Sequence, residues 1–325
     1  MEKFIIGVDL GGTLIRAARL DQKLNILERV ETLTLADEGG DAVIERIKVE
    51  VAKVMPEDQT SVLGIGISSP GPLDPETGTV INPPNLPGWE WVPLGSSLKE
   101  RFGLPVYVGN DANVAALAET VRGAARGYQH VIYLTISTGI GSGIIIDGRL
   151  LLGRQGFAAE TGCMIVDMPD GPVTLETLAS GTGIAQGVRD RLKLGDESNI
   201  PEMVGGNLDL VDGKIVGMAA NAGDTLALEV IAEAGRLIGL GITSLLHLFD
   251  PEIIVIGGGA SVLGDLLFNS MHETIQKNVI TKEYVDGLVF TAPDLGGDVS
   301  IYGAAALVVT QGGVMNISDV VAKLG

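Results

Sequence analysis

Cysteine is almost absent from this sequence of 325 residues, since Cys163 is the only one. No disulfide can form within the chain, which suits a reducing compartment. The chain also has no uncharged apolar run near the roughly 20 residues that span a bilayer. It begins Met1-Glu2-Lys3 and enters a strand at once, without the apolar core of a signal peptide. We therefore expect a cytoplasmic protein.

Basic residues are also few, because 22 Lys and Arg stand against 41 Asp and Glu and give a net charge of −19. No stretch concentrates Lys or Arg with aromatic residues, so DNA and RNA are not expected partners. A negative field repels phosphates at long range. Any phosphate site must then use local backbone N–H groups, helix N-termini and a metal ion.

The length and composition predict two globular α/β domains. Hydrophobic residues make up 46% and charged residues 19% of the chain, and one domain takes roughly 150 residues. We place the change of domain just after Asp111. The predicted small domain covers 1–111 with a C-terminal helix at about 301–325, and the predicted large domain covers 112–300.

Three predicted strands end in glycine-rich turns. Residues 4–9 lead into Gly11-Gly12-Thr13, residues 131–137 lead into a turn with Thr138, Gly139 and Gly141, and residues 253–256 lead into Gly257-Gly258-Gly259. Such turns let backbone N–H groups approach an anion. One turn alone is more often purely conformational. Neither the P-loop spacing nor the dinucleotide spacing occurs.

Two aspartates accompany these turns. Asp9 ends the first strand, where a carboxylate can hold Mg²⁺ through water or can simply cap local N–H groups. Asp111 opens a helix predicted to reach about Arg126, whose dipole should keep it ionised. With Asn110 beside it to orient a hydroxyl, Asp111 can act as the base of a phosphoryl transfer, or it can be an ordinary helix cap.

Several motifs together resemble the ROK family of sugar kinases and related repressors, and the resemblance runs from residue 4 to about 310. The matching motifs are Asp9-Leu10-Gly11-Gly12-Thr13, Pro70-Gly71-Pro72, Pro84-Asn85-Leu86-Pro87-Gly88-Trp89, Asn110-Asp111-Ala112-Asn113, Thr138-Gly139-Ile140-Gly141, Glu160-Thr161-Gly162, Leu175-Glu176 before Ala179-Ser180-Gly181, and Ile256-Gly257-Gly258-Gly259.

The resemblance implies a two-domain actin-like ATPase (ribonuclease H-like) fold in which ATP, with Mg²⁺, and the sugar meet in an interdomain cleft. It makes Asp111 the general base. The sugar contacts fall on Asn85, Asn110, Asp111, Glu160 and Glu176. The nucleotide side falls on Asp9, Gly11, Gly12, Thr13, Thr138, Gly139, Gly141 and Gly258.

The resemblance favours glucose as the substrate and a homodimer or homotetramer as the assembly. Fructose, mannose, an N-acetylated hexosamine or a polyol remain open as substrates, and polyphosphate remains open as the donor. A catalytically silent sugar-binding protein is a further alternative. A repressor is not expected, because the first phosphate strand begins at Phe4 and the net charge opposes DNA binding.

Cys163 departs from the family pattern. Family members usually carry a histidine there, followed by cysteines that bind a structural zinc. Residues 164–174 contain neither cysteine nor histidine, and the three histidines, His130, His247 and His272, lie far away in sequence. A zinc site needs about four N or S ligands, so we expect none. We expect Cys163 to be a small buried filler rather than a reactive thiol.

Overall fold

The computed structural model describes residues 2–83, 85–168 and 171–324. It consists of two compact units. The first comprises Met1–Tyr133, Gly143–Ala159 and Pro293–Gly325, and the second comprises Leu134–Ser142 and Glu160–Ala292. The division into domains at Asp111 stays a prediction.

The first sheet has five strands and lies within the first unit. Its strands and the two short strands beside it are β1 (Phe4–Leu10), β2 (Leu14–Asp21), β3 (Ile26–Leu33), β4 (Val62–Ser69), β5 (Leu73–Asp74), β6 (Thr79–Val80) and β7 (Val106–Asn110). The order is β3-β2-β1-β4-β7, with β5 and β6 paired separately. β1, β2 and β3 are antiparallel, whereas β4 and β7 run parallel to β1.

Helices cover both faces of this sheet. They are α1 (Gly40–Val54), α2 (Leu94–Phe102), α3 (Asp111–Val121), α10 (Val299–Val309) and α11 (Ile317–Leu324). Because side chains alternate along a strand, Ile6 and Val8 enter the core formed with α1 and α2. Gly7 faces the other way, where a Cβ would lie 2.9 Å from the Ile301 carbonyl oxygen of α10.

The second sheet also has five strands, in the order β10-β9-β8-β13-β14. These strands and a separate hairpin are β8 (Val131–Ile136), β9 (Ile140–Ile146), β10 (Arg149–Leu150), β11 (Ile165–Met168), β12 (Gly171–Thr174), β13 (Ile253–Gly257) and β14 (Val289–Thr291). The helices of the second unit are α4 (Leu175–Ala179), α5 (Gly181–Lys193), α6 (Ile200–Met203), α7 (Gly213–Asn221), α8 (Thr225–Phe249) and α9 (Asp265–Asn278). None of the helices in the described ranges has the length and hydropathy to cross a bilayer.

Two helix predictions differ from the structure. α3 ends at Val121 rather than near Arg126, because the Glu119 carboxylate accepts the Ala124 N–H (2.8 Å) that a continuing helix would give to a backbone carbonyl. The helix expected over about 301–325 is two helices, since Gly312 and Gly313 adopt φ values of 79° and 87° between them. The predicted α/β class is confirmed, since helices accompany two five-stranded sheets.

Candidate functional site

The first glycine turn joins β1 to β2. The Gly11 N–H donates to the Leu14 carbonyl oxygen (2.9 Å), which closes the turn. A Cβ at Gly12 would lie 3.0 Å from the Asn85 carbonyl oxygen. Glycine therefore allows the close approach of the Asn85 loop, and the structure brings a predicted sugar contact beside the predicted phosphate turn that ends in Thr13.

Asp9 is held by Arg16, its neighbour across the β1–β2 hairpin. Asp9 is 8% exposed, and its Oδ2 accepts from Arg16 Nε (2.8 Å) and also from Arg16 Nη2. In the described part of the chain, Oδ1 accepts no hydrogen bond. The remaining Arg16 nitrogen, Nη1, donates to the Gly297 carbonyl oxygen (2.8 Å). Arg16 thus fixes one carboxylate oxygen and leaves the other for a ligand.

The surroundings of Asp9 fit a magnesium ion that arrives with a nucleotide. Mg²⁺ usually keeps several waters and binds through one or two carboxylates and the substrate's phosphates. A carboxylate with one oxygen to spare beside a phosphate turn supplies that arrangement. Among the described residues, no group of three or more His, Cys, Asp or Glu side chains could enclose a metal ion.

Asn110 is the N-cap of α3. Its Oδ1 accepts from the N–H groups of Ala112 (2.9 Å) and Asn113 (3.3 Å). Because the cap occupies this oxygen, the amide nitrogen Nδ2 is the group that Asn110 can offer to a hydroxyl.

Asp111, the first residue of α3, keeps a solvent-accessible surface as a residue, yet protein atoms surround its carboxyl closely enough to raise its pKa. Desolvation by the surrounding protein raises the pKa most, the Ala112 N–H opposes this, and the negative charge of Asp9 raises it further. Desolvation thus outweighs the backbone N–H contact at the helix start, and the expectation that the helix dipole keeps the group ionised stays a prediction. A carboxylate with a raised pKa accepts a proton more readily, which suits a general base.

The second glycine turn joins β8 to β9. The Ser137 N–H donates to the Gly139 carbonyl oxygen (2.8 Å), and the Ile140 N–H donates to Glu176 Oε2 (2.8 Å). A Cβ at Gly139 would lie 2.4 Å from the same Glu176 oxygen. Glu176, a predicted sugar contact, is thus tied to the turn that carries Thr138. Gly141, assigned to this turn from the sequence, lies within β9.

Glu160 immediately precedes a short turn, Thr161–Cys163, in the same unit. Thr161 bonds to Ser142 through the two hydroxyl groups. Cys163 is exposed, so the prediction of a buried filler is wrong. Partial desolvation, Glu160 and Glu176 all raise the pKa of its thiol. A thiol kept protonated is a weak nucleophile.

A pocket of about 680 Å³ lies in the second unit at the same glycine turn, and Thr138 lines it. Apolar side chains form much of its wall: Ile184, Ala185, Met218, Val262 and Leu263. Its polar residues include Thr182, Arg189, Asp212, Lys214 and Asn221. This combination suits a ligand with an apolar ring and a polar, anionic part.

Gly258 lies beside this pocket, because the next residue, Gly259, lines it. Gly258 has a φ of 90°, and a Cβ there would lie 2.3 Å from the Ile136 carbonyl oxygen. The sequence analysis proposed Gly258 for the nucleotide side but did not single out Lys214, which lines the pocket. The only signal was Asp212-Gly213-Lys214 at a helix start, where Asp212 accepts the Ile215 N–H (2.8 Å).

The comparisons with known proteins decide the family. Residues 5–311 match the model described as ROK family. The chain belongs to the ROK family. The glucokinase of Thermotoga maritima is 36% identical to this ROK chain over 94% of the chain and 96% of that protein.

Two solved ROK structures agree with this assignment. One is a ROK family glucokinase from Streptomyces griseus in complex with glucose and AMPPNP, with a TM-score of 0.73 and 34% identity over 94% of this chain and 98% of that one. The other is a ROK hexokinase from Thermus thermophilus, with a TM-score of 0.77 and 32% identity over 93% of this chain and 97% of that one. The predicted family and actin-like fold are confirmed, and the sugar-kinase prediction is supported.

In this ROK chain the segment that lacks the expected zinc ligands forms the β11–β12 hairpin. Ile165 pairs with Thr174 and Val166 pairs with Val173, and the Leu175 N–H donates to the Met164 carbonyl oxygen (2.8 Å). Backbone hydrogen bonds therefore organise this segment. Residues 169 and 170 lie outside the described residues, and the absence of zinc stays a prediction.

Proposed function

We propose that this chain is an ATP-dependent sugar kinase that transfers a phosphoryl group to a hexose hydroxyl, with Asp111 as the general base. The observation that carries the proposal is the state of Asp111. Its pKa is raised, it keeps an exposed surface, and it follows directly after Asn110 at the start of α3. In phosphoryl transfer the enzyme mainly positions groups and neutralises charge, so one such base suffices.

On the sugar side, Asp111 accepts the proton of the attacking hydroxyl while Asn110 Nδ2 donates a hydrogen bond to a sugar oxygen. Asn85, Glu160 and Glu176 are the further proposed sugar contacts. All three side chains are exposed, and their carboxylate and amide groups are suitable partners for hydroxyls.

On the nucleotide side, the pocket in the second unit takes the adenosine. Its volume of about 680 Å³ lies within the roughly 300–1,000 Å³ of small-molecule sites. Lys214 lines this pocket, is exposed, and offers a positive charge to phosphate groups. The N–H groups of the turns at Gly12 and Gly139 are the other proposed phosphate contacts. Mg²⁺, held through water by Asp9, would neutralise charge on the phosphates.

Glucose is the first candidate substrate because relatives at 36% and 34% identity are named glucokinases. The change at Cys163 leaves fructose, mannose, an N-acetylated hexosamine and a polyol as the alternatives. A site built for hydroxyls discriminates strongly through single polar contacts, so one altered residue can change the preferred sugar. We further propose a cytoplasmic homo-oligomer.

A coupled assay of ADP release with Mg²⁺ and ATP, run against hexoses, hexosamines and polyols, tests this function. We expect saturable turnover on one or a few sugars, with glucose among them. A parallel series with polyphosphate as donor separates the two donor hypotheses. Sugar binding by calorimetry without turnover on any sugar, with either donor, would replace the kinase by a silent sugar-binding protein.

A further inference from the structure

The segment from Asp294 to Gly297, just before α10, is held at both ends by charged side chains. Glu119 of α3 binds its beginning and Arg16 of β2 binds its end. All of these residues lie in the first unit. The phosphoryl-transfer chemistry described above uses neither Glu119 nor Arg16.

Glu119 is a fully buried carboxylate with 0% exposure. Its oxygens accept the N–H groups of Ala124 (2.8 Å), Asp294 (3.1 Å) and Leu295 (3.2 Å). No Lys or Arg among the described residues forms an ion pair with it. A buried charge without a counter-ion is costly, and N–H groups aimed at it offset that cost. A Cβ at Gly123 would lie 2.0 Å from Oε2, so the chain is shaped around this carboxylate.

Arg16 is the link from the segment to the phosphate turn. Its Nη1 donates to the Gly297 carbonyl oxygen (2.8 Å), while Nε (2.8 Å) and Nη2 both donate to Asp9 Oδ2. The planar guanidinium therefore fixes the orientation of the Asp9 carboxylate relative to Gly297.

A separate contact next to the segment does not involve Asp9. Arg29 of β3 donates to Oδ1 of Asp298, the residue that follows the segment (2.6 Å), and both side chains are partly exposed. Arg29 therefore ties the same region to the sheet without touching Asp9, which makes it a suitable control for Arg16.

We infer that Arg16 and Glu119 are positioning residues for Asp9, acting in series through the segment Asp294–Gly297. Together they hold Asp9 Oδ2 and leave Oδ1 available for the hydrated Mg²⁺ that a nucleotide would bring. This rests on the proposed role of Asp9 in binding Mg²⁺. Ligands around metal ions depend on such partners, whose loss typically lowers metal affinity roughly 10- to 100-fold.

The test compares Arg16→Lys, Glu119→Gln and the double variant with the wild type, and Arg29→Lys is the matched control. Binding of ADP is measured by calorimetry with Mg²⁺ and again with EDTA. Arg16→Lys keeps the positive charge but loses the planar guanidinium. We expect it to weaken binding of Mg·ADP roughly tenfold, whereas ADP alone should bind as it does to the wild type. Arg29→Lys should bind both as the wild type does.

Glu119→Gln should weaken Mg·ADP binding less, and the double variant should be no worse than Arg16→Lys, because residues acting in series are not additive. In turnover assays the KM for Mg·ATP should rise while the KM for the sugar stays constant. The inference would be overturned if Arg16→Lys bound Mg·ADP as tightly as the wild type does. It would also be overturned if Arg16→Lys lost as much affinity for ADP alone as for Mg·ADP, or if Mg²⁺ did not change the affinity of the wild type for ADP. A wild type that binds Mg·ADP in this way without phosphorylating any sugar would refute the proposed function and leave the inference standing.

Discussion

At the scale of single residues, Asp111 combines a solvent-accessible surface with a carboxyl group of raised pKa. Exposure gives access to a substrate hydroxyl, and the raised pKa strengthens the group as a base. The cause is local: desolvation acts first, and the charge of Asp9 adds to it. As a base, Asp111 works only when it is ionised.

The pH dependence of activity follows from the need for an ionised Asp111 carboxylate. As the pH falls through the raised pKa of Asp111, the base becomes protonated, so kcat/KM for the sugar should fall on the acid side. The fall in kcat/KM should be centred at a pH above 3.8, the ordinary pKa of an aspartate. The measurement is the initial rate at low sugar concentration across the pH range, with circular dichroism to confirm that the fold persists. Constant activity down to pH values near 3.8 in a folded protein would contradict the assignment.

The sequence pointed to Asn110 and Asp111 because they open a helix after a strand, and the family motifs pointed to Glu176 and Gly258. These roles stay predictions. The sequence did not point to Arg16 or Glu119, because their roles depend on Gly297 and Asp294, which are distant in sequence. The solvent exposure of a single side chain is equally hard to predict from the sequence. Cys163 was expected inside the protein and is exposed.

At the scale of elements, a strand followed by a glycine turn is the recurring unit of this fold. At Gly12 and Gly139 the missing Cβ makes room for the Asn85 loop and for Glu176. At Gly258 the reason is different, since both the φ of 90° and the nearby Ile136 backbone exclude a side chain. This position should therefore be the most sensitive of the three to substitution.

Two adjacent glycines separate this steric effect from a general effect of adding a methyl group. Gly258→Ala should lower the free energy of unfolding by about 2 kcal/mol or more, because it adds strain to a backbone clash. Gly259→Ala, whose Cβ would meet nothing nearer than Ser137 Oγ at 4.0 Å, should change it by less than about 0.5 kcal/mol. Chemical denaturation of both variants measures this, and equal losses would refute the steric account.

The strands predicted over residues 4–9, 131–137 and 253–256 correspond to β1, β8 and β13, because short apolar runs that end in glycine turns are a strong local signal. β3 does not show the alternation of apolar and polar residues, because Leu27 and Leu33 are exposed and charged residues lie on both of its faces. The β11–β12 hairpin was missed, since its short strands give too little pattern.

At the scale of the whole molecule, the net charge of −19 acts on every charged ligand. A hexose is neutral, whereas Mg·ATP is an anion, so only the nucleotide is repelled as it approaches. In the proposed site, local N–H groups and Lys214 would attract the phosphates at short range. Salt screens the long-range repulsion over about 8–10 Å near physiological ionic strength.

Raising the salt concentration should therefore favour the nucleotide. Between about 10 and 150 mM NaCl, kcat/KM for Mg·ATP should rise roughly two- to fivefold, and kcat/KM for the sugar should stay constant. Initial rates with each substrate varied in turn measure both. A fall in kcat/KM for Mg·ATP would show that local positive groups, rather than net charge, control association.

The family and the fold followed from the order of motifs along the chain, because several of these motifs are glycine turns at the ends of strands. The division into domains at Asp111 stays a prediction. The sequence analysis already assigned a C-terminal helix at about 301–325 to the small domain, whereas no local pattern marks Gly143–Ala159 as part of the first unit.

The most direct test of the central claim is the rate of ADP release with Mg·ATP and the preferred sugar, compared among wild type, Asp111→Asn and Asp265→Asn. Asp265 also lies in the first turn of a helix and is exposed, which makes it the matched control. The account predicts that kcat of Asp111→Asn falls about 100- to 10,000-fold with little change in the KM for either substrate, while Asp265→Asn behaves as the wild type. A kcat within a few-fold of the wild type in Asp111→Asn would contradict it.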